Sequence, residues 1–151
     1  MQLTLVRHGE ASPALDGLDM KRPLTARGHQ QARQTAGYLQ DIVKPDILVV
    51  STLLRAQETM EYIHQFFPNI EVLICDKIKP EDDAEIAVDW LSQLPFENIV
   101  VVCHMNVVAH IEEILTNESF SPYALAEARI FEQAVIANGL SSRRHAFVPT
   151  V

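Results

Sequence analysis

In Leu3-Thr4-Leu5-Val6-Arg7-His8-Gly9-Glu10, a short β-rich run stops abruptly at a cation, an imidazole and a glycine. The run is too short for a helix, and its lack of clear alternation suits a strand covered on both faces. Residues 47–50, 72–74 and 99–102 have the same character. Helical spacing fills the gaps between them. Thr25 stands where it can cap a segment in which Gly28, Ala32, Ala36, Leu39 and Val43 recur at three and four, and Pro45 stops it. Leu53, Ala56, Met60 and Ile63 repeat that spacing as far as Pro68. Asp83 can cap Ala84, Ala87, Val88 and Leu91 before Pro95, and Val107, Val108, Ile111, Ile114 and Leu115 make a fourth stripe. Alternation of this kind predicts an α/β fold, a mostly parallel sheet with helices on both faces. After Pro122, residues 128–135 and 143–148 read as two strands around Ala137-Asn138-Gly139, a hairpin at the end of the sheet. Residues 12–22 are polar and read as an exposed loop.

Composition fits this reading. The 151 residues are 48% hydrophobic and 21% charged, which predicts one globular domain over residues 1–151. Twelve Lys and Arg against twenty Asp and Glu leave a net charge of −8. An acidic surface repels phosphate backbones and anionic lipid, so neither nucleic acid nor membrane is an expected partner. Any anion must therefore be held by a few focused cations. Cys75 and Cys103 lack metal-ligand spacing and read as reduced thiols. The first residues lack a secretory-leader pattern, and no apolar run approaches the ~18–20 residues of a membrane span. These features predict a cytoplasmic protein.

The chemistry gathers at strand ends, where open α/β sheets hold their ligands. The first strand ends in Arg7-His8-Gly9, the second in Ser51-Thr52 with Arg55 in the next helical turn, and the fourth in Cys103-His104. Singly, Arg55 reads as a surface ion-pair residue and His104 as a hydrogen-bonded strand-end histidine. Together they predict one crevice with two guanidinium groups, two imidazoles and nearby helix N-termini, all suited to anions. Arginine matches phosphate with paired, charge-assisted hydrogen bonds. A glycine after the histidine permits close approach. A neutral imidazole can attack phosphorus, and nearby guanidinium charge keeps it neutral.

These motifs resemble the histidine phosphatase superfamily, which includes phosphoglycerate mutases and acid phosphatases. Arg7-His8-Gly9 matches its RHG signature, and Pro23-Leu24-Thr25-Ala26-Arg27-Gly28 matches its helix entry. Residues 51–59 match its Ser-x-x-x-Arg-Ala-x-x-Thr pattern, and His104 matches its second histidine. The short chain and Arg22-Pro23-Leu24-Thr25 resemble the SixA-type phosphohistidine phosphatases in particular. The resemblance implies a phosphoglycerate mutase-like three-layer α/β/α sandwich. It also implies His8 as the nucleophile that becomes phosphorylated, and a phosphate grip made of Arg7, Arg55 and His104 with Gly9 beside it. No metal or other cofactor is implied. The implied partner is a phosphohistidine-bearing protein, such as a histidine phosphotransfer domain of a signalling relay.

One departure bears on substrate. Mutases and monoesterases of the superfamily supply a glutamate after the third strand as general acid for an alkoxide leaving group. Lys77 stands at that place here. Glu81, Asp82 and Asp83 are the candidate substitutes, with helix capping as their structural reading. An imidazole leaving group needs less protonation help, which favours phosphohistidine. The alternatives are a small-molecule phosphomonoesterase or mutase of the same superfamily, and a non-catalytic phosphate-binding module. A cysteine phosphatase is excluded, because alanine and glutamate stand six residues beyond Cys103 and Cys75 where it needs arginine.

Overall fold

The computed structural model describes residues 1–151. Its strands are β1 (Gln2–Arg7), β2 (Ile47–Ser51), β3 (Val72–Cys75), β4 (Asn98–Cys103), β5 (Ala128–Glu132) and β6 (Ser142–Phe147). They form one sheet in the order β3-β2-β4-β1-β5-β6. The first four strands are parallel; β5 runs antiparallel to β1, and β6 antiparallel to β5. The helices are α1 (Ala26–Ile42), α2 (Leu54–Phe66), α3 (Ala84–Ser92) and α4 (Val107–Thr116).

Alternate side chains of each central strand feed opposite cores. Leu3, Leu5, Val49 and Val101 pack with α3 and α4, while Val6, Leu48, Val50 and Val102 pack with α1 and α2. That division makes the α/β/α sandwich. Strand β2 is buried throughout, which explains why its sequence shows no alternation. The expected caps form: the Thr25 side chain accepts from the Gly28 N–H, and the Asp83 side chain from the Glu85 N–H.

Three details differ from the sequence reading. Strand β5 ends at Glu132, short of the expected residue 135; Gln133 makes one more reciprocal pair with Met1, and Val135 beyond it lies exposed. Gly139, with φ +76°, sits within a longer connection than a tight hairpin. The polar 12–22 stretch is exposed over much of its length, but it contains a 3-10 turn, Asp19–Lys21, that reaches into the functional crevice. No helix is long and apolar enough to cross a membrane.

Candidate active site

Strand β1 delivers Arg7 to the carboxyl edge of the sheet, and the chain then turns beneath the start of α1. Two glycines allow that approach. A Cβ on Gly9 would stand 2.6 Å from the Gly28 carbonyl oxygen, and one on Gly28 would overlap the Glu10 carbonyl. The glycines of both motifs thus serve one contact between strand end and helix start. The Gly9 N–H is itself taken by the Thr59 hydroxyl at 3.1 Å.

His8 is 7% exposed. Its Nδ1 lies 2.7 Å from the Gly9 carbonyl oxygen, which only accepts, so Nδ1 carries the proton. Nε2 then keeps its lone pair and accepts from Arg55 Nε at 3.3 Å. Burial first, and then the charges of Arg55, Arg7 and Arg22, push the imidazole down to about 4 against the opposing Gly9 hydrogen bond. At neutral pH the ring is uncharged and nucleophilic in character.

His104 follows β4 and is fully buried, with its ring centroid 5.0 Å from that of His8. Its Nε2 is 2.7 Å from the Ser51 hydroxyl, and its Nδ1 has no protein partner. Burial, followed by His8 and the two arginines, pushes it down to about 2. Arg7 donates from Nη1 to the Tyr123 carbonyl at 2.8 Å, while its buried Nε is unpartnered. Arg55 is 4% exposed and donates to Asp19 twice, from Nη1 to the carbonyl at 2.9 Å and from Nη2 to Oδ2 at 3.2 Å.

Arg7, His8 and Arg55 line a cavity of about 400 Å³, together with Glu10, Asp19 and Arg22. His104 backs His8 from beneath. A larger hollow of about 550 Å³, lined by Met1, Glu97 and Arg144 among others, lies at the opposite, amino edge of the parallel strands. Parallel sheets bind ligands at the carboxyl edge, and the smaller cavity alone joins cations to an uncharged imidazole. No three His, Cys, Asp or Glu side chains gather with ligand spacing. Both cysteines are free and buried, and burial pushes Cys103 up to about 12, which disfavours its thiolate.

The structure brings Arg7, His8, Arg55 and His104 together, but not Glu81, Asp82 or Asp83. Glu81 accepts from Asn106, Asp82 from the Lys79 N–H, and Asp83 caps α3. None of the three lines the cavity, although Pro80 does. Their side chains make capping and turn bonds, in keeping with the structural reading given to them from the sequence. Lys77 pairs with Asp76 at the surface. The carboxylates of the crevice are instead Glu10 and Asp19. Sequence reasoning missed Asp19 and gave Arg22 no role. Arg22 carried a signal as the first residue of the Arg22-Pro23-Leu24-Thr25 motif, whereas nothing local marked Asp19.

An uncharged, tautomer-fixed histidine shares a crevice at the sheet's carboxyl edge with two guanidinium groups, which defines a class: an α/β protein whose crevice has the charge to hold an oxyanion. Residues 3–79 match the histidine phosphatase superfamily (branch 1), and the chain belongs to that superfamily as a phosphatase. It is 30% identical over 144 residues to the phosphohistidine phosphatase SixA homolog of Haemophilus influenzae, covering 84% of this chain and 87% of that one. The uncharacterized phosphatase PhoE of Bacillus subtilis is 38% identical over 86 residues, 54% of this chain but only 44% of the relative's length. The fold matches the structure of the protein histidine phosphatase SixA complexed with tungstate, with a TM-score of 0.84, 20% identity, and coverage of 98% of this chain and 97% of that one.

Proposed function

We propose that this phosphatase removes the phosphoryl group of a phosphohistidine-bearing protein through a phospho-His8 intermediate. The observation that carries the reading is the His8 ring: Nδ1 is protonated toward Gly9, and Nε2 faces Arg55 with its lone pair. His8 Nε2 bonds to phosphorus as the P–N bond of the substrate breaks, and the electron pair returns to the substrate imidazole. Arg7 and Arg55 grip the equatorial oxygens, where charge spreads during an in-line transfer. His104 has an unpartnered Nδ1 and joins them once the arriving anion raises its proton affinity. Water then attacks phospho-His8, releases inorganic phosphate and returns the lone pair to Nε2.

The name of the Haemophilus relative, aligned over most of both chains, supports the phosphohistidine substrate. Tungstate, a tetrahedral oxyanion, in the similar SixA structure supports a phosphoryl site on this fold. The partner of this reading is a histidine phosphotransfer domain, and residues 1–151 act as one catalytic domain in the cytoplasm, where the two free thiols stay reduced.

The monoesterase reading draws on Asp19 as a substitute acid. Burial raises its carboxyl, but Arg22 and Arg55 together hold it below the usual carboxylate range, so it donates poorly at neutral pH. Phosphate release from a phosphohistidine peptide and from glycerol 3-phosphate separates the two readings. Turnover of the peptide with the glycerol ester nearly inert is the expected result. Preference for the glycerol ester contradicts it.

A further inference from the structure

The proposed reaction uses His8, Arg7, Arg55 and His104, yet the crevice also holds a carboxylate with no part in those steps. Asp19 arrives from the exposed 12–22 loop, 36 residues ahead of Arg55 in the chain. Arg55 bridges the two ends of the crevice. Its Nε faces His8 Nε2 at 3.3 Å, and its Nη2 holds Asp19 Oδ2 at 3.2 Å. The Asp19 carboxylate therefore stands one guanidinium width from the proposed nucleophile. It is also further out: the Asp19 side chain is 63% exposed against 4% for Arg55.

That order of depth matters. In an in-line displacement the leaving atom lies beyond phosphorus from the attacking atom. With His8 buried at the floor, the leaving group departs through the mouth, where Asp19 stands. Although burial raises its carboxyl, the Arg22 hydrogen bond and the Arg55 charge and hydrogen bond hold it ionised. An ionised carboxylate at the mouth repels an anionic leaving group and attracts a cationic or N–H-bearing one. Glu10, the other carboxylate of the crevice, is held by the Thr25 hydroxyl at 2.8 Å and by Arg27.

The geometry points to Asp19 as the residue that sets leaving-group specificity: its carboxylate accepts the ring N–H of a phosphorylated imidazolium and disfavours phenolate and alkoxide departure. This rests on the phosphohistidine reading above. His8 Nε2 bonds to phosphorus, the P–N bond breaks, and its electron pair returns to the substrate ring nitrogen. The second ring nitrogen already carries its proton, held by Asp19, so the ring departs as neutral imidazole and no further proton is required. Asp19 remains ionised throughout.

The test compares Asp19→Asn and Asp19→Glu with wild type on two substrates, a peptide phosphorylated at a histidine ring nitrogen and p-nitrophenyl phosphate. Asp19 is exposed and Asn is isosteric, so the fold is retained. Asp19→Asn is expected to lower kcat/KM on the phosphohistidine peptide by about tenfold or more, the loss of one charged hydrogen bond. On p-nitrophenyl phosphate it is expected to lose less or to gain, so the ratio of the two rates falls by about tenfold. Asp19→Glu is expected to restore part of that ratio. An equal change on both substrates, in either direction, overturns the inference, because Asp19 would then act only by holding or occupying Arg55. A wild-type protein that turns over p-nitrophenyl phosphate but not the peptide overturns the phosphohistidine reading instead.

Discussion

Arg55 and Arg129 are each 4% exposed, and burial alone does not tell them apart. Their partners do. Arg129 donates to Glu127 at 2.7 Å and Glu112 at 2.9 Å, both buried, and to the carbonyls of Ser121 and Pro122. Its guanidinium also lies 3.9 Å from the centroid of the Tyr123 ring. Its two carboxylate partners and the Tyr123 ring are buried within the fold. Arg55 gives one bond to an imidazole and two to a single residue on an exposed loop. A guanidinium whose partner can leave is free to accept an anion, whereas one clamped between buried carboxylates is committed to structure. The two sites also touch, since Tyr123 donates its hydroxyl to Glu112 while its carbonyl receives Arg7. The clamped cluster thereby braces one side of the exchangeable one.

The largest effect expected from this contrast is catalytic. Arg55→Ala should lower kcat/KM on a phosphohistidine substrate by ~10³ or more, the scale of an arginine acting on a transferring phosphoryl group. Its Tm should change little, and Arg55→Lys should recover only part of the rate because it lacks the paired donors. Arg129→Met should show the reverse pattern. Leaving Glu112 and Glu127 buried without their cation should cost ~3–5 kcal/mol in chemical denaturation, with activity of the folded fraction retained within about tenfold. An Arg129→Met protein that loses activity but no stability would erase the distinction between the two arginines.

A smaller effect is expected from pH. His8 is pushed down to about 4 and His104 to about 2, whereas the unfolded chain binds those protons near the ordinary histidine value of 6.5. Below 6.5 the unfolded state therefore holds more protons, and stability falls as pH drops from 6.5 toward 4. Thermal melts across that window should show Tm falling with pH in wild type and falling less in a His8→Asn/His104→Gln double variant. The smallest effect belongs to Glu81→Gln/Asp82→Asn/Asp83→Asn. Because Asn still caps α3 and none of the three lines the crevice, phosphohistidine hydrolysis should stay within about tenfold of wild type. General acid catalysis by one of them would instead cost ~10²–10⁴ in a rate assay.

What the sequence made legible follows from the range of the interactions. The strands were readable as short apolar runs, and α1 and α3 from their caps, because those signals lie within a few residues. Arg7, His8, Arg55 and His104 were readable because each follows a strand whose end the periodicity marks. The Asp19–Arg55 pair and the Ser51–His104 bond join residues 36 and 53 apart, and nothing local in the chain announces them. Arg129 was legible only as part of a strand. Its clamp exists because α4 supplies Glu112 from the other side of the core.

The most direct measurement is capture of the phosphoenzyme. The protein is mixed with a phosphohistidine peptide, quenched under alkaline conditions that preserve phosphoramidates, and mapped by mass spectrometry over time. The expected result is a single transient phosphoryl group on His8 that decays as inorganic phosphate appears, and none in His8→Ala. Phosphate release at an undiminished rate by His8→Ala, or a phosphoryl group on another residue, would contradict the role given to His8.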